Sequence, residues 1–263
     1  MPPPATPDTQ SQPDRRRLRG AFNASLGFVL LLAACFAAQH GIDWTFLTVT
    51  PWTLPGLLGL LTAPLLHGSV EHIVANGTAL LLLGTLAGTV YPKATLRALP
   101  LLWLGSGLGA WLLGQPGSHH LGASGVTHGL MFLVFVLGLL RRDRAAIAAG
   151  MLAFMFYGGM LMTILPREAG VSWESHLGGA LAGVIAAFHV RAARAAGRAG
   201  AVEARRRRWR TRPRAVVPAA PRRLRLFAGQ HPRAQLAVMP AREQKQRSRR
   251  AAQAQEHVPL RVP

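Results

Sequence analysis

A serine between glycines, two apolar segments that each open on a histidine and one asparagine are the residues here that could do chemistry together. Gly122-Ala-Ser124-Gly125 stands where a polar turn gives way to the apolar run Leu130–Leu140. Its hydroxyl would sit at a helix N-terminus just inside a membrane, with no bulky neighbour to block approach. Such a hydroxyl becomes a nucleophile only with a base within about 2.6–3.2 Å to take its proton. His176 is the candidate base, since it opens another apolar run and is followed by Gly179 and Gly183. Gly125 and Gly129 repeat that four-residue spacing behind the serine, and small residues so spaced let helix backbones approach closely. The same glycines would also suit generic helix packing, and the serine motif alone is weak. His72 and Asn76, four apart, share one helical face and could donate to a developing negative oxygen. His67 lies about 140° round a helix from His72, which points it elsewhere and favours a structural role.

Six apolar runs must position these residues: Ala21–Ala38, Glu71–Tyr91, Leu99–Leu113, Ser124–Leu140, Ala145–Leu165 and Val171–Val190. Each is near the ~20 residues that cross a bilayer's hydrocarbon core. The first follows Arg15, Arg16, Arg17 and Arg19 and has no small-residue cleavage site after it, so it reads as a retained span rather than a signal peptide. Residues 40–64, with Trp44 and Trp52, read as a long loop lying partly in the membrane interface. The expectation is an all-α membrane protein. Its parts are a disordered N-terminus over residues 1–20, a six-helix domain over 21–193 and a disordered basic tail over 194–263.

Charge orients that bundle. The segment Arg191–Pro263 holds 20 of the 30 Lys and Arg but 3 of the 10 Asp and Glu, so it carries most of the net +20. The remaining basic residues cluster in alternate connections, and the opposite connections contain only Arg167. The positive-inside rule then puts both termini in the cytoplasm and Ser124, His67, His72 and His176 toward the outer face.

Other chemistries fit poorly. The single cysteine, Cys35, excludes an intramolecular disulfide. There is no His-Glu-x-x-His metalloprotease motif, and neither Asp43 nor Asp143 belongs to an intramembrane aspartate pair. His119 and His120 read as exposed loop histidines rather than metal ligands. No cofactor and no metal are expected. A small transporter would show internal repeats or broken, charge-lined spans, which the sequence lacks.

Taken together, His67-x4-His72-x3-Asn76, Gly122-Ala-Ser124-Gly125 and His176-x2-Gly179-x3-Gly183 resemble the rhomboid intramembrane serine proteases. The resemblance covers about Ala21–Val190, including the order of spans and the long first loop. It implies a six-transmembrane-helix rhomboid-like bundle in which Ser124 is the nucleophile and His176 its general base. It further implies that His72, Asn76 and the Ser124 N–H stabilise the oxyanion, with His67 a structural neighbour. No buried acid is evident beside His176, which fits a Ser–His dyad. Two departures stand out. His128 occupies the place, four after the serine, where many members have an aromatic residue stacked on the base, and residues 40–66 lack the arginine many carry in the first loop.

The function so implied is cleavage of transmembrane protein substrates near the outer membrane face, in a multi-pass protein of the bacterial inner membrane. The alternative is an inactive rhomboid-like protein that binds transmembrane clients; retention of both Ser124 and His176 argues against it. The tail, with Arg205–Arg208, Trp209 and Arg210, suits anionic lipid at about 1 kcal/mol per basic residue. Plain topology fixing is as good a reading, and no nucleic-acid-binding fold is visible.

Overall fold

The structure, a computed structural model, describes residues 11–41, 43–168 and 170–210. Helix α1 spans Ser11–Ala38, and the first loop holds short helical turns, among them α2 (Gly59–Thr62). Then follow α3 (Val70–Val90), α4 (Pro92–Leu113), α5 (Ser124–Arg141), α6 (Arg144–Tyr157) and α7 (Trp173–Arg210). Six of these are long and apolar enough to cross a membrane, α6 together with the 3-10 turn that extends it to Leu161. The chain is an integral, multi-pass membrane protein.

The compact unit runs to Glu203, and Ala204–Pro263 forms a second, of which residues 204–210 are described and helical. Two boundaries differ from the sequence expectation. Helix α1 starts at Ser11 rather than Ala21, and α7 continues through residues 194–210, where a disordered tail was expected. Arginine, leucine and alanine are strong helix formers, so the last turn in lipid need not be the last turn of helix. Residues 1–10 and 211–263, the rest of the segments expected to be disordered, lie outside the described residues.

Helix α5 is the centre of the bundle: 61% of its apolar stretch is buried, against 22% for α6 and 6% for α1. Leu130, Met131, Leu133, Val134 and Leu137 of α5 form the core with Leu80 and Leu83 of α3 and Leu102 of α4. Elsewhere close packing uses missing side chains. A Cβ at Gly77, Gly84 or Gly88 of α3 would meet Val29, Ser25 or Ala21 of α1. Gly105 and Gly109 of α4 face Gly178 of α7, whereas Gly107, half a turn away, packs on Leu60 of the first loop. The three glycines therefore serve two faces of α4.

The loops at the Ser124 end are tied together. Val49 and His120 exchange backbone hydrogen bonds of 2.9 and 3.0 Å, and Gly122 N–H donates to the Ala63 carbonyl at 2.9 Å. Thr48 Oγ1 lies 2.9 Å from His119 Nδ1, and Trp111 Nε1 donates to the Thr53 carbonyl at 2.9 Å. The first loop is thereby pinned to the turn that leads into Ser124.

Candidate active site

Ser124 is the first residue of α5, so its N–H belongs to the helical turn that has no intrahelical acceptor. Two residues before it, Gly122 has φ +109°, a conformation that L side chains rarely adopt. A Cβ there would also meet the His72 ring. Only glycine lets the backbone turn at this point while His72 and Asn76 stand beside it.

His176 reaches the serine because α5 and α7 touch backbone to backbone. A Cβ on Gly179 would collide with the Gly125 carbonyl and one on Gly183 with the Gly129 carbonyl. The two small-residue pairs read from the sequence thus face each other. Between them and the loop end, Ser106 Oγ of α4 and Ser175 Oγ of α7 share a buried hydrogen bond of 2.7 Å. Gly125 packs against both residues.

His176 Nε2 lies 2.9 Å from Ser124 Oγ, and His176 Nδ1 lies 3.0 Å from the Thr163 carbonyl. A carbonyl can only accept, so the ring proton sits on Nδ1 and Nε2 presents its lone pair to the serine hydroxyl. That is the tautomer a general base needs. A backbone oxygen does here what a carboxylate does in a triad, and the one acid close in sequence is engaged elsewhere. Glu174 Oε2 lies 3.4 Å from Ser172 Oγ and 3.9 Å from His120 Nδ1.

His128 stacks on His176 with ring centroids 3.9 Å apart and planes 13° from parallel. Its Nδ1 donates to the Ser124 carbonyl at 2.7 Å, so its Nε2 accepts from Thr163 Oγ1 at 2.8 Å. An imidazole is itself a flat aromatic ring, so it keeps the stacking surface while adding two directional bonds. Thr163 holds both histidines, one through its carbonyl and one through its hydroxyl.

On the opposite side of Ser124 a cavity of about 740 Å³ is lined by Ser69, His72, Asn76, Ser118, Ser124 and His176, among others. Ser69 caps α3 by accepting from His72 N–H at 3.1 Å, which sets the register bringing His72 and Asn76 to one wall. Asn76 is 4% exposed and its Nδ2 has no hydrogen-bond partner. A buried donor left unpaired is costly unless something entering the cavity accepts from it.

His67 corrects the helical-wheel expectation. It precedes α3 in non-helical backbone, and its ring lies edge-on to His72 with centroids 5.0 Å apart. Its backbone is held from both sides by the Gln39 amide, at 3.0 and 3.2 Å. Burial, and then the neighbouring His72, push its pKa down to about 4, so it is neutral at pH 7. His120 is no exposed loop histidine either: it bonds Ser118 Oγ at 2.8 Å and Ser172 Oγ at 2.6 Å. Burial lowers its pKa, partly opposed by Glu174. Among the described residues no group of three or more His, Cys, Asp or Glu could hold a metal ion.

Sequence reasoning missed Thr163, Ser106 and Ser175. Thr163 orients His176 through its main chain, which leaves no mark in a residue type. The serine pair lies on two different helices, and nothing in the sequence says that those faces meet.

The fold and the site define a polytopic membrane protein with a serine and a histidine paired at one end of its bundle. The Rhomboid domain family model matches residues 55–193, and the chain belongs to the rhomboid family. It is 37% identical to uncharacterized proteins of Mycobacterium bovis and Mycobacterium tuberculosis, over 75% of this chain and 88% of each relative. An uncharacterized protein of Mycobacterium leprae is also 37% identical, over 50% of this chain and 55% of its own. No solved structure matches the chain.

Proposed function

We propose that this rhomboid-family member is an intramembrane serine endopeptidase that cleaves transmembrane protein substrates near the outer membrane face. The observation that carries the reading is the 2.9 Å contact between Ser124 Oγ and a His176 Nε2 whose tautomer Thr163 fixes. Ser124 gives its proton to Nε2 as Oγ attacks the scissile carbonyl. The resulting oxyanion is met by the Ser124 N–H at the start of α5, by Asn76 Nδ2 and by the His72 ring. Each such donor is worth about 3 kcal/mol in a water-poor site. The proton on Nε2 then passes to the departing amine, which breaks the C–N bond. Water from the polar cavity, deprotonated by the same nitrogen, hydrolyses the acyl-enzyme.

The distribution of arginine and lysine supports a bacterial inner-membrane orientation with both termini cytoplasmic. An unwound substrate segment would enter the polar cavity from the opposite side. The experiment is labelling with a fluorophosphonate and cleavage of a transmembrane test substrate in liposomes. Wild-type protein labels and cleaves, while Ser124→Ala and His176→Ala do neither. A wild-type chain that binds the substrate without labelling or cutting it would make this member a client-holding protein instead.

A further inference from the structure

The bundle's other end carries a cavity of about 570 Å³ between the first half of α4 and the middle of α7. Leu101, Ile185 and Val190 supply apolar lining, and Lys93, Arg97 and Arg194 bring three cations to the same space. All three cations are exposed, and among the described residues none is paired with a carboxylate. His189 also lines the cavity, but its Nδ1 faces the Ile185 carbonyl at 3.0 Å.

A neighbouring cavity makes the contrast. It shares Arg194, yet there Asp143 holds Arg141 at 2.8 Å, so part of its positive charge is already met. At the α4–α7 cavity three like charges share a lining that holds no carboxylate. The apolar lining beside them is of no use to a soluble anion, and the cations are of no use to a neutral lipid. A molecule with a net negative phosphodiester headgroup at one end and a hydrocarbon chain at the other uses both.

We propose that the α4–α7 cavity binds an anionic phospholipid from the leaflet on this side. Its phosphodiester is held by Lys93, Arg97 and Arg194, and an acyl chain lies against Leu101, Ile185 and Val190. The lining residues all belong to the unit that runs to Glu203, and the proposal does not depend on protease activity.

The test is native mass spectrometry of the full chain from non-ionic micelles doped with phosphatidylglycerol or phosphatidylcholine. Wild-type protein retains phosphatidylglycerol at least about tenfold better, as expected for several basic residues acting together. The combined variant Lys93→Gln, Arg97→Gln, Arg194→Gln loses that preference, whereas Arg205→Gln with Arg210→Gln keeps it. Ile185→Trp fills the apolar part with every charge in place and also lowers retention. Inorganic phosphate at matching concentration does not displace the lipid. Full retention by the triple variant, loss in the Arg205/Arg210 variant or displacement by phosphate would each overturn the proposal. If the triple variant loses its helical circular dichroism, unchanged retention by Ile185→Trp overturns it alone.

Discussion

Two of the helices packed on α5 meet it in different ways. Against α7 the contact is backbone on backbone, Gly125 to Gly179 and Gly129 to Gly183, with a serine pair locking the loop end. Against α6 one glycine contact, Gly138 to Gly150, stands beside the stacked pair Phe135–Phe154 at 5.3 Å. The outer face of α6 leaves Met151, Met155 and Phe156 each at least 66% exposed. A nucleophile and base tolerate a few tenths of an ångström of error, and backbone contact between glycines offers few rotamers through which to drift. Side-chain packing onto lipid-facing residues has many. The stiff contact stands beside Ser124 and His176, and the adaptable one stands away from them.

The largest expected effect comes from breaking the stiff side. Gly179→Val places branched carbon where the Gly125 carbonyl is, so the helices must separate and His176 moves away from Ser124. A misplacement on the order of 1 Å costs about 100-fold in rate, and fluorophosphonate labelling should fall at least that far while the protein still inserts. Labelling at the wild-type rate would show that the α5–α7 contact does not set the dyad.

His128 gives the next effect. His128→Ala removes the stacked ring, worth about 1 kcal/mol, and two hydrogen bonds worth about 1 kcal/mol each. Labelling should slow by about tenfold or more. His128→Phe restores the stack alone and should recover part of the loss; equal rates in both variants would mean that stacking contributes nothing.

A pH titration compares both flanks with the α3 side, where His67 sits. Its folded pKa of about 4 lies below the ordinary 6.5, so protons bind the unfolded chain first. The stability it contributes is complete above 6.5 and is lost progressively as pH falls toward about 4. The unfolding midpoint in micelles should decline through that window, and His67→Gln should flatten the decline. A variant with the same slope would remove His67 as its source.

The smallest effect belongs to the adaptable side. Phe154→Ala removes the stack on Phe135 and should lower stability by about 1 kcal/mol in a denaturant titration, without reducing the labelling rate. A loss of labelling as large as that of Gly179→Val would erase the distinction between the two neighbours.

The sequence alone determined what depends on local pattern and on transfer into lipid. Apolar runs of spanning length and the charge asymmetry identified the six spans, and the order of the motifs marked Ser124, His176, His72 and Asn76 as candidates. Spacing of four marked Gly125, Gly129, Gly179 and Gly183 as contact residues, because a helix repeats its face about every four positions. Span ends were less legible, since helix propensity in α1 and α7 continues past the membrane. Tertiary structure decided which faces meet, because side-chain type carries no address. It put a main-chain oxygen of Thr163 on His176, laid His128 flat against the same ring and moved His67 beside His72. It also brought Arg194, about a hundred residues further along the chain, to one cavity with Lys93 and Arg97.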